Sequence, residues 1–343
     1  MVDAKSNIKL VPLDITKHFD AYARFAKQMF GEGSYQVKKN YVDWILGNGQ
    51  VILAIEDCSG CIVGCIHGIY EKIDINGHIV STNVLLNLIV LSAYRKGIGA
   101  ELIFKVFNRK ECAFVLGTSG KLGKAYKKLG MRQVPTFNYR KIYRPIFGSI
   151  KFINYKLFGI NFGAKSFVNI RIPSPNLKEI YLELCPKDEL ISKLVRLANL
   201  KSIGVVAQHW ETDFFKWRFF HSKGPKHLLI YLGQRNEPTD YVILSLGQVK
   251  GMHVLRVVFM VIKSSDALLK FMNFIDIFAK KTKADILIIM HTSSELASYY
   301  CDIGWETVKP RMATYIYLVD KKKSINETHF FSAAGDSGFE AIL

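Results

Sequence analysis

The residues best placed to do chemistry in this 343-residue chain lie in one stretch, YRKGIGAELI, Tyr94 to Ile103. Two cations, Arg95 and Lys96, precede two glycines, Gly97 and Gly99, set one residue apart. The run before them, VLLNLIVL (Val84 to Leu91), is aliphatic and β-branched enough for a buried strand. After them, Leu102, Ile103 and Val106 share one helical face. The glycines therefore open a helix directly after a strand. A helix N-terminus carries unpaired backbone N–H groups and about half a positive charge, and glycine lets an anion such as a phosphate come up to it. A tight turn alone also calls for glycine, so the pattern by itself leaves both uses open.

Cysteine offers a second candidate chemistry. Cys58, Cys61 and Cys65 form a C-x-x-C-x-x-x-C cluster, but Cys112, Cys185 and Cys301 stand singly. No histidine pair lies at zinc-finger spacing, whereas a structural zinc needs a full set of N or S ligands. Ser59-Gly60 reads as a hairpin turn, which makes these cysteines strand residues in a reducing compartment. No metal is expected.

The elements that must position the glycine loop alternate. Ile8 to Pro12 is a short strand, and Ile15 to Phe30 and Val37 to Leu46 have helical spacing. Gln50 to Glu56 and Cys61 to Ile73 form a hairpin, and Asn76-Gly77 turns the chain into His78 to Leu91. A helix from Gly97 follows, then a strand Cys112 to Thr118, a helix Lys121 to Leu129 stopped by Gly130, and a strand Phe137 to Tyr143. Antiparallel strands followed by strand-helix-strand-helix make a mixed α/β sheet of the α+β type.

Length and charge bound the rest. With 49% hydrophobic and 22% charged residues, the chain is long enough for two cores at roughly 100 to 200 residues per domain. No run of ~18 or more uncharged apolar residues occurs, and the N-terminus lacks the apolar core of a signal peptide, so a cytoplasmic protein is expected. Lys plus Arg number 47 against 29 Asp plus Glu, a formal net charge of +18 that attracts polyanions of any kind. A non-catalytic nucleic-acid-binding protein is one reading of that charge, but no RNP, KH, zinc-finger or helix-turn-helix signature supports it, and no nucleic acid partner is expected.

The order strand, RKGIGAELI, strand, SGKLGKAYKKLGM resembles the GNAT superfamily of acyl-CoA-dependent N-acyltransferases. In that family the loop [QR]-x-x-G-x-[GA] binds the pyrophosphate of coenzyme A through successive backbone N–H groups. Gly97 and Gly99 match the glycines, whereas the leading Gln/Arg place holds Tyr94, with Arg95 and Lys96 following. Ser119, Tyr126, Gly130 and Met131 fall where the family carries Asn, Tyr, Gly and an aromatic or aliphatic residue. The resemblance implies acyl-CoA as co-substrate, held by Ile89, Leu91, Arg95, Lys96, Gly97, Ile98, Gly99, Ala100 and Ser119. It implies Tyr126 as the acid that protonates the departing thiolate, and the backbone at Leu88 and Ile89 as the group that polarises the acyl carbonyl. The attacking amine must lose a proton, for which His67, Glu71 and Asp74 are the nearby candidates, with Asn87 as a positioning residue. A core role for His67 is the competing reading.

The chain also repeats. FVLGTSG (Phe114 to Gly120) is echoed by IIMHTSS (Ile288 to Ser294), and YKKLGMRQV (Tyr126 to Val134) by YCDIGWETV (Tyr300 to Val308), at one gapless separation of 174 residues. Upstream, Tyr241 to Ile262 reads as two strand runs broken at Lys250-Gly251, followed by a helix Asp266 to Lys280. Two tandem GNAT-like domains are expected: a catalytic one over 1–143, a linker region over 144–201, a degenerate copy over 202–320 and a polar tail over 321–343. The same separation carries Gly97 and Gly99 onto Phe271 and Asn273, from which the second copy is read as having lost its cofactor loop.

The segment HWETDFFKWRFF (His209 to Phe220) resembles one from tandem GNAT proteins of bacterial O-antigen and capsule pathways. That resemblance implies a nucleotide-linked amino sugar as acceptor, with Asp213, Trp217 and Arg218 contacting it. The alternative from spacing is a helix packing Phe214, Trp217 and Phe220 into its own core. A peptide, antibiotic or cell-wall amine is the alternative acceptor. Arg144 to Phe167 mixes aromatics, lysines and glycines without a clear period and reads as a linker packed between the domains, with membrane contact not expected.

Overall fold

The computed structural model describes residues 8–32, 34–95, 97–107, 112–158, 179–200, 205–249, 251–308, 312–318 and 327–329. The first half runs β1 (Ile8–Pro12), α1 (Ile15–Phe30), a 3-10 turn Tyr35–Val37, α2 (Lys39–Gly47), β2 (Gly49–Glu56), β3 (Ile62–Ile75), β4 (His78–Val90), a 3-10 turn Ser92–Tyr94 and α3 (Ile98–Phe107). It continues through β5 (Cys112–Ser119), α4 (Gly120–Lys128), β6 (Arg132–Val134), β7 (Phe137–Ile142) and α5 (Pro145–Phe158). The second half runs β8 (Ile180–Glu183), α6 (Asp188–Ala198), β9 (Val205–His209), α7 (Thr212–Phe220), β10 (His227–Gln234), β11 (Glu237–Val249) and β12 (Met252–Val261). After it come α8 (Ser265–Lys281), β13 (Ile286–His291), α9 (Ser294–Asp302), β14 (Met312–Leu318) and β15 (Glu327–His329). The mixed α/β architecture is the one the alternation implies.

Two sheets result. The first has the order β1-β2-β3-β4-β5-β14-β6, with β9 against the far end of β3 and β15 beside β9; the second is β7-β13-β12-β11-β10-β8. The second half therefore gives β14, β9 and β15 to the first sheet, and the first half gives β7 to the second. β14, late in the chain, lies antiparallel between β5 and β6, while β7, read from sequence as closing the first unit, lies antiparallel to β13. The cores follow the sheets and not the sequence boundary at Tyr143. Tyr315 and Ile316 of β14 are buried among first-half residues, and Tyr139 of β7 is buried in the second core.

The internal repeat is exact where the elements flank these exchanged strands. β5 and β13 begin at 112 and 286, and α4 and α9 at 120 and 294, the same separation of 174. The stop of each helix is built alike: Gly130 and Gly304 have φ +84 and +77, and Met131 and Trp305 each donate to the carbonyl of the repeat tyrosine, Tyr126 or Tyr300. Upstream the register breaks. β12 joins α8 through three residues, Ile262 to Ser264, whereas β4 joins α3 through seven, Leu91 to Gly97. Phe271 is a buried residue in the middle of α8 and Asn273 lies two places on, so neither is the counterpart of Gly97 or Gly99, as the gapless separation had implied. Periodicity cannot detect a change of loop length between two helices that both continue the pattern.

A second difference concerns Arg144 to Phe167. Its first part is the fourteen-residue helix α5, and Gly148 does not break it. A Cβ there would stand only 3.5 Å from Asp285 Cβ and 3.6 Å from Met252 Sδ, so glycine brings the helix close to the second sheet. Residues 159–167 of that stretch, like most of the tail, lie outside the described residues. Among the described residues no helix is long and apolar enough to cross a membrane.

Candidate active site

β4 and β5 start as parallel neighbours and then part. Their ladder covers Thr82 with Cys112, Asn83 with Ala113 and Val84 with Phe114; beyond it each keeps only its other neighbour, β4 staying on β3 and β5 on β14. A wedge opens between them. Its β4 side is shaped by a bulge: His67 faces Leu86 and Cys65 faces Ile89, so β4 spends one residue more than β3 over the same span. The extra residue forces Asn87 to φ +51, in the left-handed region that asparagine tolerates better than most residues. Leu88 and Ile89, both half-buried, follow at the wedge edge.

A buried polar chain holds the bulge. Gln36 Nε2 donates to Asn87 Oδ1 at 3.4 Å, and Asn87 Nδ2 stands 3.1 Å from His67 Nδ1. An amide nitrogen only donates, so Nδ1 accepts and His67 Nε2 carries the hydrogen toward the Tyr22 oxygen, 2.9 Å away. Cys65 Sγ approaches the Asn87 carbonyl at 3.8 Å. Burial keeps every member uncharged: it lifts the Tyr22 phenol well above its ordinary value, pushes the Cys65 thiol up to about 12 and lowers the His67 imidazole to about 3.

Two expectations for a base change accordingly. His67 is fully buried and, with a pKa of about 3, a weak proton acceptor; its place is beneath the bulge, orienting Asn87. Glu71 faces Thr82 at the closed end of the wedge, buried, accepting from Gln208 Nε2 of the second half at 2.9 Å. Both side chains are buried. The sequence reading had weighted residue type, whereas position along β3 decides the matter.

The imidazole has a consequence for stability. Between its ordinary 6.5 and about 3, the unfolded chain binds a proton that folded His67 refuses, so stability is full above pH 6.5 and is lost as pH falls through that window. His227, buried with Nδ1 at 2.9 Å from the Phe219 carbonyl and lowered to about 4, acts in the same direction. Denaturant unfolding followed from pH 7 downward should lose up to about 1.4 kcal/mol per pH unit for each histidine. His67→Gln should flatten that slope, and an unchanged slope would contradict the role assigned to His67.

Hydrogen bonds hold the described residues of the loop after β4. Leu91 N donates to the Val63 carbonyl at 2.9 Å, Tyr94 N closes the 3-10 turn on Leu91 O at 2.9 Å, and Arg95 Nε donates to Val90 O at 3.1 Å. Tyr94 donates its hydroxyl to Glu56 Oε1 at 2.7 Å. Gly97 has φ +103, and its carbonyl receives Ala100 N and Glu101 N at 2.9 and 3.2 Å, capping α3. That turn explains Gly97. It does not explain Gly99, which lacks a positive φ and where a Cβ would meet only Val90 Cγ2 at 3.8 Å. Ile98, Gly99 and Ala100 thus head α3 with room for a Cβ at Gly99. Lys96 and the side chain of Ser119 lie outside the described residues.

Tyr126 is 1% exposed and belongs to the buried cluster that lines the wedge, with Leu85 and Val90 of β4, Ile98 of α3 and Val115 of β5; Tyr315 packs on it at 6.0 Å between ring centroids. In the second half the matching space is filled. Tyr139 stacks on Tyr300 at 4.1 Å, and Tyr300 Oη points to Met260 Sδ at 3.8 Å. The head of α8 is likewise occupied: Ser264 Oγ accepts from Ala267 N at 3.2 Å, and the carboxylates of Asp240 and Asp302 accept from Lys263 N and Ser265 Oγ. Two carboxylates there disfavour a phosphate.

Of the residues assigned to the acceptor, Asp213 is exposed in the first turn of α7. Trp217 stacks on Trp44 at 4.7 Å, and each indole donates to the other's backbone carbonyl, Trp44 Nε1 at 2.9 Å and Trp217 Nε1 at 3.1 Å. Arg218 is buried over the Trp44 ring. α7 is therefore a clasp between the halves. The side chains it buries are Phe215, Arg218 and Phe219, one place displaced from the expected Phe214, Trp217 and Phe220, because its apolar residues surround the whole helix.

No family model matches the chain, and no curated protein matches its sequence. Solved structures do resemble it. Saccharomyces cerevisiae N-myristoyltransferase with bound myristoyl-CoA aligns with a TM-score of 0.61 at 12% identity, over 91% of this chain and 83% of that one. A further structure of it with myristoyl-CoA covers 96% of this chain and 80% of its own at 13% identity and the same TM-score of 0.61. A conserved protein from Enterococcus faecalis V583, a probable N-acyltransferase, aligns with a TM-score of 0.55 at 10% identity, over 93% of this chain and 74% of that chain. The likeness is one of fold, and it spans both halves.

Proposed function

We propose that this protein is an acyl-CoA-dependent N-acyltransferase whose single cofactor site is the α3 head and the β4/β5 wedge. The observation that carries the proposal is the open backbone at Gly99, which the fold itself does not require, next to a splayed strand pair in a GNAT architecture. The pyrophosphate of coenzyme A meets the N–H groups at Gly97 to Ala100, with Arg95 beside them, and the thioester enters the wedge past Leu88 and Ile89. The amine nitrogen attacks the thioester carbon, the C–S bond breaks, and the ammonium proton leaves to water, since His67 and Glu71 are both buried. The thiolate takes its proton from Tyr126.

Tyr126→Phe removes only that proton. Turnover should fall about 100-fold while the dissociation constant of coenzyme A stays level. An equal loss in both, or in neither, would make Tyr126 a core residue only.

For the acceptor, we propose a nucleotide-linked amino sugar, probed first with dTDP- and UDP-amino sugars. Support comes from the likeness of His209 to Phe220 to segments of O-antigen and capsule acyltransferases and from the +18 charge, which favours a diphosphate-bearing substrate. The engagement of Trp217 with Trp44 and the burial of Arg218 leave Asp213 as the contact this proposal retains on α7. Free-thiol release across a panel of acyl-CoAs, short and long, with those sugars and with peptide amines tests both parts. Thiol release with peptide amines alone would remove the sugar and keep the acyltransferase. No release with any pair, and no protection of the protein by coenzyme A in a melting experiment, would remove both.

A further inference from the structure

Helix α5 turns its apolar side outward. Ile146, Ile150, Ile153 and Leu157 recur at helical spacing on one face, Phe147 and Phe158 flank them, and all six are between 49% and 71% exposed. The stripe runs roughly 16 Å along the helix at 1.5 Å per residue. A helix on the surface of a globular protein normally points such a stripe at the core. Here the other side is pinned instead. Gly148 seats against Asp285 and Met252, Lys151 Nζ bonds Asp285 Oδ2 at 2.7 Å, and Arg144 Nη1 stands 3.9 Å from Asp285 Oδ1 with its guanidinium over the Phe147 ring at 4.5 Å. The orientation is set by these anchors, so the helix cannot roll its apolar side inward without breaking a buried ion pair.

Charge narrows what can cover the stripe. From Arg144 to Lys178 the sequence holds Arg144, Lys151, Lys156, Lys165, Arg171 and Lys178 and no Asp or Glu, within a chain of net charge +18. Lys151 and Arg144 are engaged with Asp285, while Lys156 is exposed beside Leu157. A second copy of the chain carries the same net charge of +18 and would be repelled. An anionic bilayer surface matches both features, since apolar side chains enter the headgroup–acyl boundary while lysines meet lipid phosphates. The helix is too short to cross a bilayer, so it would lie in the surface plane.

We propose that α5 is an interfacial helix that seats the protein on an anionic phospholipid surface through Ile146, Ile150, Ile153 and Leu157. The full-length protein should co-sediment with vesicles of phosphatidylcholine mixed with phosphatidylglycerol, bind vesicles of phosphatidylcholine alone more weakly, and lose binding as salt rises. Ile150→Glu and Ile153→Glu, at exposed positions, should keep the wild-type melting temperature and each lower partitioning by about tenfold or more. No co-sedimentation of the wild-type protein with the mixed vesicles, or equal binding by the folded variants, would overturn the proposal. So would a concentration-dependent dimer that Ile150→Glu abolishes without any vesicle binding, which would identify a second copy as the partner. An Ile153→Cys thiol, read at its own peptide by mass spectrometry, should react with a polar maleimide in solution and be protected by mixed vesicles. A thiol already unreactive without lipid would show that the chain covers its own stripe and would equally overturn the proposal.

Discussion

Gly99→Ala is expected to make the protein more stable and at the same time a poorer binder of coenzyme A. The position is helical, has no positive φ, and offers a methyl only an ordinary contact with Val90 Cγ2 at 3.8 Å. Alanine there should add about 0.5–1 kcal/mol through helix propensity and a less free unfolded chain. The same methyl stands where the pyrophosphate must approach the backbone. Overpacking of that kind costs about 1–3 kcal/mol, so affinity should fall roughly tenfold or more for Ala and further for Val. Calorimetric titration with coenzyme A, read beside thermal melts, separates the two effects because they have opposite signs. Unchanged affinity in the folded Gly99→Val variant would remove the anion site from α3. Gly97 is a poorer probe, since any side chain at φ +103 strains the turn and costs about 1–3 kcal/mol whether or not a ligand binds.

The glycine loop was legible because its signal is local: a buried strand, two glycines and a helix follow one another between Val84 and Val106. The downstream half of the repeat was legible for the same reason, since Gly130 and Gly304 stop matching helices at matching places. The bulge at Asn87 was not, because VLLNLIVL has the composition of an uninterrupted strand and the extra residue shows only in the register against β3. Nor was the outward face of α5. Arg144 to Phe167 read as a linker without a clear period, whereas its first part is a helix that Gly148 brings close to Asp285. What sequence periodicity reports is which residues share a face; what covers that face is set by partners remote in the chain.

Strand exchange is the sharpest instance, and it makes the fragment of residues 1–143 a decisive test. Such a fragment keeps the glycine loop and Tyr126, yet it lacks β14, which is the partner of β5 from Cys112 to Ser119 and the partner of β6. It loses Tyr315 and Ile316 from its own core, leaves β7 without β13, and removes the Trp217 face of the tryptophan clasp. Truncating the half-buried Trp217 to Ala alone should cost up to about 3 kcal/mol, a large part of the ~5–15 kcal/mol that holds a typical domain. Losing a central strand as well leaves bare backbone groups along β5 that water or another chain must satisfy. The isolated fragment should therefore show no cooperative thermal transition and no coenzyme A binding. Co-expressed with residues 144–343, which carry β14 and β13, it should regain both. A fragment that melts cooperatively on its own and binds coenzyme A would mean that β14 is an accessory strand and that the first half is an independent enzyme domain. The intact chain, by contrast, should unfold in one calorimetric transition, since each half holds a strand of the other and neither sheet can open without unpairing both.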